Sequence, residues 1–165
     1  MENYHLLVGS AGVRANSAAE VLYAAAWICG EFSSHLSNPA ETLRSMFRGR
    51  VTTLPGHIQA VYIQNGLKLF SNITRDALQG EKEAEDGSER ERVTELAKYL
   101  EAKMSDLVVS SDLEVQERAS SVLEVLRYVI GQLEGASLEG YDGSQVCESV
   151  HLQKLQFLTG ESFPR

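Results

Sequence analysis

The chain has 165 residues, 43% of them hydrophobic, with a formal charge of −8 and a pI near 5.0. That is enough to bury a core, and with no apolar run long enough to cross a bilayer, one soluble domain or a piece of a larger one is expected. The acidic balance argues against unaided binding to nucleic acid, which needs clustered Lys and Arg, and an anionic membrane surface would repel it as well.

Met1 to Gly9 carries Tyr4, Leu6, Leu7 and Val8, enough for a short helix or the end of one, and Gly9-Ser10-Ala11-Gly12 breaks it. No basic segment followed by an apolar stretch opens the chain, so no secretory signal is read. Ser17-Ala18-Ala19-Glu20 has the spacing of a capping box and predicts a helix from Ser17 to Leu36. Along it Val21, Leu22, Ala25, Ile28, Cys29, Phe32 and Leu36 share one side, while Tyr23 and Trp27 form a second strip. A helix apolar on two sides has to be covered on two sides, so this one is expected to be an inner helix.

Asn38-Pro39-Ala40-Glu41 repeats the start grammar and predicts a short helix to Arg48, with Leu43, Met46 and Phe47 inward. Pro55 opens the next, through Asn72, again apolar on two faces: Ile58, Val61, Tyr62, Leu69 and Ile73 on one, Ile63, Leu67 and Phe70 on the other. Gly66 inside it costs about 1 kcal/mol against Ala and suits a close helix approach. Residues 79–89 then turn acidic without a large apolar side chain and read as a solvated loop.

Ser88 to Val109 carries one stripe, Val93, Leu96, Ala97, Leu100, Met104, Leu107 and Val108, as an outer helix does. Ser111-Asp112-Leu113-Glu114 starts the last long helix, to Leu133, with Val115, Ala119, Val122, Leu126, Val129, Ile130 and Leu133 on a broad face. Residues 135–165 are rich in Gly and Ser at first and read as a flexible tail or hinge, in which HLQKLQFL (151–158) offers a brief helix. The fold expected is all-α, a HEAT/armadillo-like solenoid of antiparallel helix pairs over residues 1–134, with divergent repeat lengths.

No reaction centre emerges. His5, His35, His57 and His151 are scattered and no Cys accompanies them, so no zinc site is read. Cys29 lies on an apolar face without a neighbouring base and reads as core; with Cys147 in a polar tail there is no disulfide framework, which suits a reducing cytosol. Arg118 has Glu114 one turn earlier as its natural partner. Asn72-Ile73-Thr74 fits the glycosylation pattern but reads as a helix end. Tyr23 and Trp27 read as packing between repeats, although a partner peptide could also use them. No catalytic, cofactor-binding or metal-ligating residue is assigned, and no binding residue can be chosen.

Three blocks carry a resemblance: VLYAAAWICGEFSSHL (21–36), RVTTLPGHIQAVYIQNGLKLF (50–70) and DLEVQERASSVLEVL (112–126). Their order, with an acidic spacer between the second and third, resembles the C-terminal part of the trunk of delta-type large subunits in the adaptin family. The resemblance implies a helical solenoid in a heterotetrameric vesicle-coat adaptor that selects cargo at Golgi or endosomal membranes for lysosomes, vacuoles or related organelles. It implies binding without catalysis or cofactor. The implied partners are beta-type, medium and sigma small subunits, with an Arf-type GTPase and cargo tails through the complex. The implied location is cytoplasmic, peripheral on those membranes. A generic HEAT scaffold, such as a transport receptor or a regulatory subunit, is the competing reading. Because a cut solenoid leaves apolar faces uncovered, the isolated chain is expected to be marginally stable or to self-associate.

Overall fold

The computed structural model describes residues 15–80 and 88–135; the expected first helix, most of the acidic loop, and the tail with its helix at 151–158 lie outside them. Five helices follow one another: α1 (Ala15–Glu31), α2 (Pro39–Arg48), α3 (Gly56–Gly80), α4 (Ser88–Leu107) and α5 (Leu113–Gly135). Single 3-10 turns at Ser33–His35 and Val51–Thr53 join the first three. Short connections fold neighbouring helices back on one another, giving antiparallel pairs in two layers. α1, α3 and α5 lie side by side in one layer, with α2 and α4 in the other, and α3 is the helix that touches all four others.

The start signals worked where a polar side chain could reach a free amide. Asn38 Oδ1 accepts from the Glu41 amide at 3.1 Å, with Pro39 in the first turn. Glu41 does not close the box: its carboxylate faces Arg48 at 3.4 Å. At α5 the cap is Asp112, not Ser111, because Asp112 Oδ1 accepts from the amides of Glu114 (3.0 Å) and Val115 (3.2 Å).

Several boundaries differ from expectation, among them the end of α4, at Leu107 rather than Val109, and that of α5, at Gly135 rather than Leu133. α1 is already helical at Ala15, so Ser17 does not cap it, and it stops at Glu31 rather than Leu36. At its end Phe32 still bonds back to Ile28 at 2.9 Å, after which the Ser33-Ser34 pair tightens the chain, with His35 bonding to Phe32 and Leu36 to Ser33. α3 continues past Asn72 to Gly80, which places Asn72-Ile73-Thr74 inside a helix and not at its end. Thr74 is buried and Asn72 donates to Ser33 Oγ. At the edges of the acidic stretch, Gln79 and Gly80 belong to α3 and Ser88 and Glu89 to α4.

One core runs through the stack. Ile58, Tyr62, Ile63, Leu67, Leu69 and Phe70 of α3 are buried on both sides, as their spacing predicted. Leu43, Met46 and Phe47 close it from α2, and the stripes of α4 and α5 face each other across it. Gly66 lets Phe47 approach: a Cβ there would stand 2.7 Å from the Phe47 ring. Gly30 does the same for Asn65, whose Oδ1 would lie 2.1 Å from a Cβ, so the Asn65 side chain of α3 lies directly against the α1 backbone.

Candidate interaction surface

α1 is fastened to α3 along one side. Leu22, Ala26 and Cys29 are buried there, and the two carboxylates of the helix reach the same neighbour: Glu20 lies 3.3 Å from His57, and Glu31 pairs with the buried ammonium of Lys68. Between Glu20 and Glu31 the helix carries no charged residue, so nothing polar marks its far side. That side is open. Val21 is 51% exposed, Trp27 46%, Ile28 44%, and Phe32, just past the helix end, 50%.

This corrects two expectations. Among the described residues α1 packs mainly on α3 and stands at the edge of its layer rather than inside it, and Tyr23 and Trp27 are exposed instead of filling a space between repeats. The predicted inner position falls to α3. The rings on the surface are nonetheless organised. Trp27 and Phe32 meet edge to face at 6.4 Å, Phe32 and His35 at 6.2 Å, and Tyr23 lies 6.4 Å from His57. Being about half exposed, each of these side chains forgoes about 1 kcal/mol that full burial would supply, so several together make a site for another apolar helix.

The other residues weighed from sequence do not converge. Cys29 is buried, and burial raises its thiol pKa above the ordinary value, which keeps it protonated and a poor nucleophile. Arg118 binds Glu114 at 2.7 Å and also Gln64 at 2.9 Å, tying α5 to α3. His35 and His57 sit at opposite ends of the α1 surface, while His5, His151 and Cys147 lie outside the described residues. Among the described residues no group of three His, Cys, Asp or Glu side chains could hold a metal ion, and no helix is long and apolar enough to cross a membrane. What the arrangement offers is an apolar contact surface on a stacked-helix scaffold.

Comparison with known proteins agrees with that architecture. The Adaptin N terminal region family matches residues 10–129. The AP-3 complex subunit delta-1 of Bos taurus is 49% identical over 129 residues, which is 78% of this chain and 10% of that protein. The AP-3 complex subunit delta of Dictyostelium discoideum is 37% identical over 125 residues, 66% of this chain and 11% of the relative, and that of Arabidopsis thaliana is 32% identical over 117 residues, 62% and 14%. The chain thus spans only about a tenth of the length of these relatives. With the family match covering all five helices but the last turns of α5, the chain belongs to the adaptin family through its N-terminal, helical-solenoid region.

Proposed function

We propose that this chain forms part of the trunk of a delta-type large subunit of a heterotetrameric vesicle-coat adaptor, where it acts as a scaffold for cargo-selective transport from Golgi or endosomes to lysosomes, vacuoles or related organelles. The observation that carries the reading is the 49% identity to a protein named as an AP-3 delta subunit, over 129 residues or 78% of this chain. The open apolar side of α1 supports it, since a stacked-helix protein of this family functions through contact surfaces. The work assigned to the chain is binding, with no catalytic step and no cofactor. Its partners are the beta-type, medium and sigma subunits, and through the complex an Arf-type GTPase and cargo tails on the cytoplasmic face of those membranes. In this reading residues 1–134 form the solenoid piece and 135–165 a hinge.

Affinity capture of the tagged chain from cytosol, with co-purifying proteins identified by mass spectrometry, tests this. Recovery of sigma, medium and beta-type adaptor chains is expected, and their loss with Trp27→Lys would assign the contact to α1. Recovery of unrelated transport receptors or phosphatase subunits in their place would move the generic scaffold ahead.

A further inference from the structure

α1 is joined to the stack by different material from α4 and α5. Those two helices bury six and nine residues, every one of them apolar. Among the described residues α1 buries four, Ala19, Leu22, Ala26 and Cys29, three of them small. The buried polar side chains, Ser33, Gln59, Asn65, Lys68, Ser71 and Thr74, all lie on α3 or in the turn that ends α1.

Three of those six stand where α1 meets α3. Lys68 keeps its ammonium buried against Glu31, and Ser33 Oγ accepts from Asn72. Asn65 lies against the Gly30 backbone: its Nδ2 donates to the Val61 carbonyl at 2.9 Å, while its Oδ1 has no hydrogen-bond partner among the described residues. Keeping an ammonium from water carries a cost that one carboxylate offsets only in part, and an unmade hydrogen bond offsets nothing. Both costs end when α1 moves away and water reaches Asn65 and Lys68. Parting α4 from α5 brings no such relief, because their buried residues are all apolar. The connection also suits such a movement. Ser34, Ser37 and Asn38 are exposed, and Asn38 caps α2 through the Glu41 amide at 3.1 Å, so α2 keeps its start without α1.

We propose that α1 is a flap, which parts from α3 as a unit about residues 34–38 while the other four helices stay folded. A helix with one main neighbour, a seam of small side chains and two polar groups better served by water opens at lower free energy than the whole fold. Opening bares Cys29 and the flank of α3 that carries Asn65 and Lys68, so whatever grips that flank holds the chain open. The inference does not depend on the adaptor reading, because it rests on the makeup of the seam alone.

The test is alkylation of Cys29 by iodoacetamide in dilute solution, on the full chain carrying Cys147→Ser so that one thiol remains, beside amide hydrogen exchange of α4 and α5. Cys29 should be reached at least about a hundredfold more often than the buried amides of α5. Its urea dependence should be weaker, since parting one seam exposes less surface than unfolding. Glu31→Gln, which leaves the Lys68 ammonium without its opposite charge, should speed labelling about tenfold with α5 exchange unchanged. Lys68→Met, which puts an apolar chain of similar length in the seam and leaves Glu31 to water, should slow it about tenfold. That arm reads a gain in closure, which loss of fold cannot imitate. Glu41→Gln, whose partner Arg48 lies on α2, should change nothing. Cys29 and α5 amides opening with one equilibrium constant and one urea slope, or labelling indifferent to both seam substitutions, would overturn the proposal.

Discussion

α1 and α3 are written in the same pattern and end in different places. Both carry apolar residues on two sides, yet among the described residues α3 buries both of its sides while α1 buries one and leaves Val21, Trp27 and Ile28, with Phe32 just beyond it, about half exposed. The difference is position in the layer. α3 has α1 on one flank, α5 on the other, and α2 with α4 across it, whereas α1 has α3 as its main neighbour. Hydrophobic pattern therefore states what a helix can bury, and the count of neighbours decides how much of it is buried; the unburied remainder is where a partner gains most.

Substitutions at the two helices should separate these roles by size of effect. Phe70→Ala, at the fully enclosed centre of α3, should cost about 3–5 kcal/mol in urea unfolding, because it removes a large side chain from a site walled on every side. Gly66→Ala should cost about 1–3 kcal/mol despite the better helix propensity of Ala: the new Cβ would stand 2.7 Å from Phe47, a ring that is itself buried and has nowhere to go. Gly131→Ala on α5, with nothing within 4 Å, is its control and should gain up to about 1 kcal/mol.

Smaller effects belong to the edges. Asn38→Ala should cost about 1 kcal/mol by freeing the Glu41 amide that Asn38 Oδ1 now accepts, measured by the same urea titration. Trp27→Lys with Ile28→Lys should cost less than about 1 kcal/mol per site, since each side chain is about half exposed. A large loss from that pair would mean that the outer side of α1 is packed, and would erase the contrast with α3.

Most of the fold was legible from residues. The inward stripe of α4 was read correctly at six positions, because a one-sided outer helix has a single period to follow. The two-sided helices were recognised as such, and Gly66 was rightly tied to close approach. Boundaries were harder: Ser17 and Ser111 have cap chemistry, but the helix was already running at one and Asp112 offered the better-placed acceptor at the other. Coverage was out of reach. Nothing in VLYAAAWICG distinguishes an apolar face that meets another helix from one that meets water, so Tyr23 and Trp27 read as core.

The measurement closest to the central claim is sedimentation equilibrium of the chain over a range of concentrations, beside the Trp27→Lys, Ile28→Lys variant, with urea unfolding of both. An open apolar side on α1 predicts that the native chain self-associates as concentration rises, while the variant stays monomeric and unfolds at the same urea midpoint. A native chain that remains a monodisperse monomer throughout, and a variant that unfolds much earlier, would contradict it.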